Sequence, residues 1–279
     1  MSITNKIVNN AIDYIIRNLN NEITVEDVAE NCNFSKFHFS RLFRSETGES
    51  VYSFIKRLRM EQSALRLGTN INQTITYIGL DYGYSPSNYS SAFKKHHKIT
   101  PIKFRNLKKE NNYDLKHPLF DVDLTYQDFN YYNDRITIKE LKDFSVLFKR
   151  YIGSYKDMAI HWRDFIDNYK HLINSETQFI EITYDDPKIT DPSRCLYDIC
   201  LKVDDDNGFD NIKIIKGGKF ASYRFEGSVI EIFQAFKGIF NIWMPKSQFE
   251  LDDRTGFDAY KNADCDNDYF VMDLYIPVR

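Results

Sequence analysis

The 279-residue chain has no stretch approaching the roughly 18 consecutive apolar residues that a membrane-spanning helix needs. Its start, Met1-Ser2-Ile3-Thr4-Asn5-Lys6, lacks the succession of basic, apolar and small residues that makes a signal peptide. A cytoplasmic protein with no membrane partner is therefore expected. Cysteine is scarce. Cys32, Cys195, Cys200 and Cys265 are widely spread, and the odd spacing of Cys195 and Cys200 would put them on opposite faces of a strand. Neither a disulfide framework nor a metal site is expected, and each cysteine reads as a small buried hydrophobe. Missing too are a His-Glu-x-x-His helix, a phosphate-binding glycine loop and a Gly-x-Ser-x-Gly elbow. Those absences leave no catalytic residue, metal or cofactor to assign.

What is present is an ordinary globular composition, 42% hydrophobic and 28% charged, in a chain long enough for two domains. Charge divides it unevenly. Residues 1–112 hold 16 basic and 10 acidic side chains, whereas residues 113–279 hold 21 basic and 30 acidic. A basic part joined to an acidic one suits a polyanion-binding domain tethered to one that does not adhere to nucleic acid.

The first part repeats itself at an offset of 50: Val25 falls on Ile75, Val28 on Ile78, Phe34 on Tyr84, Ser35 on Ser85, Ser40 on Ser90, Phe43 on Phe93 and Arg44 on Lys94. Two copies of one supersecondary unit explain such a self-match, each a short helix, a tight turn and a second helix. In the first copy Thr24-Val25-Glu26-Asp27 reads as a capping box and Cys32-Asn33-Phe34 as the turn, with Ser35 placed to cap the next helix. Phe39, Leu42 and Phe43 then point inward at helical spacing, leaving Lys36, Phe37, Ser40, Arg41 and Arg44 on the other side. The second copy turns at Tyr82-Gly83-Tyr84 and presents Ser87, Asn88, Ser91 and Lys95. A helix from about Val51 to Leu67 joins the copies; a first helix near Ile3–Leu19 and a last one opened by Thr100 and Pro101 make seven in all.

Ser35-Lys36-Phe37-His38-Phe39-Ser40-Arg41-Leu42-Phe43, Gly48, Tyr82-Gly83-Tyr84, Phe93-Lys94, Thr100-Pro101 and Phe104-Arg105 resemble, in order, the signature of the AraC/XylS regulators. The resemblance covers about 100 residues and implies two recognition helices entering successive major-groove segments of double-stranded DNA. Residue chemistry agrees. Arg41 can fork onto a guanine edge, Asn88 can pair with adenine, and Phe37 can touch a thymine methyl. Ser40, Ser87 and Ser91 are further base-contact candidates, while Lys36, Arg44, Lys94, Lys95 and Arg105 suit phosphates. Ser85-Pro86-Ser87-Asn88 is one residue shorter than the family pattern and Ser91 stands where arginine is common, so the second unit is expected to position more than it reads.

The expected division is a DNA-binding domain at 1–108, a polar linker at 109–132 and a second domain at 133–279. That second domain repeats at an offset of 74: Ile138 falls on Ile212, Leu141 on Ile215, Arg150 on Arg224, Tyr151 on Phe225, Gly153-Ser154 on Gly227-Ser228, Trp162 on Phe236, Phe165 on Ile239 and Tyr169 on Trp243. Each half reads as a hairpin (136–141 with 144–152, and 211–216 with 218–226), a helix and a closing strand (194–203 and 269–278). The fold class is α+β in two domains, with two β-β-α-β units forming an antiparallel sheet that carries both helices on one face. A ligand is expected at the junction between the halves.

Tyr184-Asp185-Asp186-Pro187, Arg194 to Asp198, Gly218 to Gly227, Trp243-Met244-Pro245 and Leu274-Tyr275-Ile276-Pro277 resemble the GyrI-like, or BmrR-type, effector-binding domain. An AraC-type start followed by this domain is similar to the arrangement of Rob-type regulators. The resemblance implies a small, mostly apolar and often cationic effector held between aromatic rings and opposed by a buried acid. Asp258 stands where a glutamate is usual, and Tyr151, Tyr155, Trp162, Tyr197, Tyr223, Phe225, Trp243 and Tyr260 are the aromatic candidates. Effector binding would act on a monomeric DNA-binding protein through residues 109–132, with RNA polymerase a further candidate partner. Two rival readings are a GyrI-like hydrolase of small electrophiles, using Asp258 with Tyr260 or Tyr197, and a protein-interaction module. The acidic run Asp204-Asp205-Asp206 reads as a solvated loop tip rather than a calcium site.

Overall fold

The computed structural model describes residues 2–3, 5–109, 123, 125–204, 208–264 and 267–279, which fall into two compact units, Met1–Glu110 and Asn111–Arg279. Cys265, Asp205, Asp206 and, of the expected linker, residues 110–122 and 124 lie outside the described residues.

Among the described residues seven helices build the first unit: α1 (Lys6–Arg17), α2 (Val25–Asn31), α3 (Lys36–Thr47), α4 (Val51–Thr69), α5 (Ile75–Asp81), α6 (Pro86–His97) and α7 (Pro101–Lys109). The capping box at the start of α2 forms as read: the Asp27 amide donates to the Thr24 hydroxyl at 3.1 Å, and the Thr24 amide donates to the Asp27 carboxylate at 2.7 Å. Ser35 and Ser85 occupy the caps of α3 and α6 but make no capping bond with their side chains, so these helices begin without that help. The turns of the two repeats place Asn33 (φ 58°) and Gly83 (φ 78°) at equivalent positions in the left-handed region, which those two residue types tolerate best.

Repeat-related contacts also set side-chain size. Gly79 lies where the first repeat has Ala29, and a Cβ there would come within 2.7 Å of the Tyr89 ring, the counterpart of Phe39. The larger ring of the second repeat thus occupies the space that the glycine leaves. Between the repeats α4 is buried along most of its length. Its apolar stripe is interrupted by Arg57, whose guanidinium reaches Glu49 at 2.7 Å and Glu61 at 3.1 Å, a buried charge kept paired on both sides.

In the second unit α8 (Phe129–Asn133) precedes two halves of the same make-up. The first holds β1 (Ile136–Leu141), β2 (Phe144–Ile152), α9 (Met158–Tyr169), β3 (Phe179–Thr183) and β4 (Leu196–Val203); the second holds β5 (Ile212–Ile215), β6 (Gly218–Gly227), α10 (Val229–Gly238), β7 (Phe257–Asp264) and β8 (Tyr269–Pro277). Each half carries one strand, β3 or β7, beyond the hairpin, helix and closing strand read from the sequence. Among the described residues of this unit these strands pair antiparallel, in the order β5-β2-β4-β3-β7-β8-β6-β1.

The expected hairpins do not form. Instead β1 pairs with β6 (Leu141 opposite Gly218) and β5 pairs with β2 (Ile215 opposite Phe144). Lys142-Asp143 offers neither the glycine nor the asparagine that a tight two-residue hairpin favours, so the chain crosses to the other half. The two crossing connections lie against each other: Asp143 accepts from the Gly217 amide at 2.8 Å and pairs with Lys216 at 2.7 Å. A Cβ on Gly217 would lie 2.3 Å from the Leu141 carbonyl oxygen.

Alternation along the strands separates two cores. Val146, Phe148, Ile180, Ile182, Cys200, Phe220 and Phe257 pack on the face turned away from α9 and α10. There the buried Asp198 accepts from Arg150 twice at 2.8 Å and from Tyr184 at 2.8 Å, and it also pairs with Lys213. Burial opposes its ionisation, but Arg150 and Lys213 hold its pKa down to about 2. On the opposite face Tyr151, Tyr197, Ile199 and Leu201 meet α9, while Tyr223, Phe225, Met272 and Leu274 meet α10 and the π-helical turn Ile239–Trp243 that follows it.

Candidate nucleic-acid interface and effector site

The helices α3 and α6 begin at equivalent repeat positions and are each 12 residues long. From α3, Lys36, Phe37, Arg41 and Arg44 are exposed and Ser40 is half-buried. Phe37 is 71% exposed, and the Arg41 guanidinium stands 5.9 Å from its ring, so the two form one amphipathic projection. Lys36 is ion-paired to Glu26. From α6, Ser87, Asn88, Ser91, Lys94 and Lys95 are exposed.

Asn88, Ser91 and Lys95 share a groove of about 550 Å³ with Tyr52, Lys56 and Arg59 of α4. The sequence marks α4 only as the helix that joins the copies, and these three carry no local signal of a groove. Arg59 is held in place by bonds to the carbonyl oxygens of Leu19 at 3.0 Å and Asn21 at 2.6 Å, beyond the end of α1. Arg105, expected at a phosphate, is instead 9% exposed and donates to the Leu67 carbonyl at 3.2 Å near the end of α4. It joins α7 to α4 and is not displayed at the surface.

The nine effector candidates fall into two groups. Tyr223, Phe225 and Trp243 lie in the core of the second half, closed over by α8. Trp243 donates its indole N–H to Asn133 at 3.2 Å, and the Tyr132 ring lies tilted against Tyr223 at 6.1 Å. Tyr132 also occupies the space above Gly238, where a Cβ would lie 1.8 Å from its hydroxyl. These three candidates are packing residues.

Tyr151, Tyr155, Trp162, Tyr197, Asp258 and Tyr260 gather in the first half and at its border with the second. Tyr151 stacks on Tyr197 at 5.5 Å and on His161 at 4.1 Å, and His161 Nδ1 lies 2.5 Å from the Tyr197 hydroxyl. Burial pushes Tyr151, Tyr155 and Tyr197 well above the usual phenol range, and Tyr155 donates to the Asp185 carbonyl. Phe233 of α10 packs against this same cluster, bringing the second half to it.

At its edge Trp162 and Tyr260 meet edge to face at 5.4 Å, and both donate to one oxygen of Glu181, at 2.9 and 3.0 Å. Glu181, which sequence reasoning missed, is the direct cross-strand partner of Asp258, so the two carboxyls share one face of the sheet. They are 6% and 5% exposed. Burial raises the pKa of Glu181 against the lowering effect of its two donors; burial, then the nearby Glu181 charge, raises that of Asp258 well above the usual carboxylate range. Among the described residues no donor reaches the Asp258 carboxyl.

Residues 135–279, more than half of the chain, match the model of the GyrI-like small molecule binding domain. The chain belongs to that family. Residues 28–107 match a helix-turn-helix domain model. The multiple antibiotic resistance protein MarA of Escherichia coli (strain K12) is 30% identical over 113 residues, covering 40% of this chain and 88% of that protein. The right origin-binding protein of the same organism is 22% identical over 292 residues and covers 98% of both chains. A solved structure, the C-terminal domain of AraT, a response regulator from Geobacillus stearothermophilus, is 32% identical; it covers 36% of this chain and 84% of that one, with a TM-score of 0.34. The GyrI-like chain is an AraC-type DNA-binding transcription regulator with a small-molecule-binding domain. Among the described residues no helix is long and apolar enough to cross a membrane.

Proposed function

We propose that α3 and α6 read DNA through the residues they expose, and that a small, largely apolar cation held at Glu181 and Asp258 alters how the regulator acts at its promoters. In this reading Arg41 contacts a guanine edge, Phe37 a thymine methyl and Asn88 an adenine. Ser40, Ser87 and Ser91 fill the remaining base contacts, and Lys36, Arg44, Lys94 and Lys95 meet phosphates. The groove beside α4 adds Lys56 to that set, with Tyr52 at its lip.

The effector half rests on one observation above the others: a buried Asp258 with no donor among the described residues, opposite a second buried acid, Glu181, to which Trp162 and Tyr260 both donate. A buried carboxyl in that state is stabilised by an entering cation. The test is a titration with lipophilic cations and matched neutral analogues, following tryptophan fluorescence and melting temperature in wild type and Asp258→Asn. Saturation by cations alone, lost in the variant, supports the reading; equal binding of neutral analogues to both proteins overturns it. Footprinting of wild type and Arg41→Ala on genomic fragments tests the DNA half.

A further inference from the structure

Resting on the effector reading, the geometry points to a narrower ligand class: a protonated amine or amidine that lends N–H donors to both Glu181 and Asp258, in preference to a quaternary onium ion. Glu181 and Asp258 face each other across β3 and β7, and one oxygen of Glu181 already takes both available donors, the Trp162 indole and the Tyr260 hydroxyl. Among the described residues the other Glu181 oxygen and both Asp258 oxygens receive none. Lys237, a buried cation of α10, is committed to Asp186.

With a cation between them and both carboxyls ionised, three acceptor oxygens on side chains only 5–6% exposed call for donors as well as for charge, because a buried acceptor left unmatched costs more than one left in water. An ammonium or amidinium group brings N–H bonds that reach carboxylate oxygens at about 2.7–2.9 Å. A trimethylammonium group has no donor, and its methyl shell keeps the charge farther from the oxygens, at carbon contact distances of about 3.5 Å or more. The rings of Trp162 and Tyr260 attract either kind of cation and so do not choose between them. The paired carboxyls do. Charge between them also relieves the mutual repulsion that adds to the raised pKa of Asp258.

The experiment uses matched triplets on phenylpropyl, naphthylpropyl and biphenylpropyl frames, each as primary ammonium, trimethylammonium and alcohol. Binding to the full chain is measured by calorimetry. The expected result is that, on the best-fitting frame, the ammonium binds at least about 10-fold more tightly than the other two, the range of one charge-assisted hydrogen bond. Asp258→Asn and Glu181→Gln should each remove most of that advantage while the alcohol's affinity stays within about threefold. A melting transition as sharp as wild type shows that the variants remain folded. If the trimethylammonium forms bind as tightly as the ammonium forms and still lose affinity in Asp258→Asn, the cation site stands and the donor preference is overturned. If no cation binds more tightly than its alcohol, both fall.

Discussion

Lowering the pH from about 7 to about 5 puts a proton on His97 in the unfolded chain but largely withholds it in the folded one. The His97 ring sits in the last turn of α6 against Phe93 at 4.3 Å and Phe104 at 5.9 Å, with Nε2 3.1 Å from the Met60 carbonyl oxygen. The neutral ring donates that Nε2–H to α4. Burial, opposed by this bond and reinforced by neighbouring His96, carries its pKa down from 6.5 to about 4. With a depressed histidine pKa the stabilisation is fully present above the unfolded value of 6.5 and is lost as pH falls from there toward about 4. At pH 5 linkage places the loss at about 2 kcal/mol, and partial exposure of the ring trims it to about 1–2 kcal/mol. The assay is urea unfolding of the full chain, followed by the helical circular dichroism signal at pH 7, 6 and 5. The comparison protein is His97→Gln, which keeps an N–H for Met60 but does not titrate. Wild type should lose about 1–2 kcal/mol more than the variant between pH 7 and pH 5. Parallel pH dependences in the two proteins would refute the reasoning.

Four other outcomes are expected. Asp258→Asn should raise the melting temperature near pH 7 by about 2–4 °C for each kcal/mol of repulsion and desolvation removed. Because the folded pKa of Asp258 is raised, the wild-type penalty is absent below the unfolded value of 3.8 and grows as pH rises through the folded one, so calorimetric melting curves should converge toward pH 4. Arg41→Ala should weaken operator binding by about 1–3 kcal/mol with little change for random DNA. Lys95→Ala, by contrast, should weaken both and reduce the salt dependence by about one phosphate contact in filter-binding assays. Gly79→Ala should destabilise the helical unit by about 1–3 kcal/mol in denaturant melts, since the clash with Tyr89 outweighs the gain of about 1 kcal/mol in helix propensity.

The helical half was largely legible because its signals are local. The Thr24 box, the turns at Asn33 and Gly83, and the inward spacing of Phe39 and Phe43 each act within a few residues of chain. Arg105 was misplaced for the opposite reason: its burial depends on a carbonyl of α4 that is 38 residues away in sequence. In the second half the offset of 74 marked the duplication, but strand partners are a non-local property, and nothing in Lys142-Asp143 names β6 as the neighbour of β1. Overlooking β3 hid Glu181 with it. A single acid inside Phe179-Ile180-Glu181-Ile182 was the available signal, though its meaning comes from standing opposite Asp258. Tyr132 escaped notice because α8 is a five-residue helix inside a polar stretch without periodicity.

Gly238 and the Tyr132 ring above it have a bearing on dose response. In the second half of this duplicated domain the place beside α10 is filled by a side chain from the chain's own preceding segment, Tyr132. A molecule that holds the proposed effector at the Glu181–Asp258 pair takes one ligand, and its occupancy should rise as a simple hyperbola with effector concentration. Any sharper threshold at a promoter then reflects how many molecules of the regulator gather on the DNA.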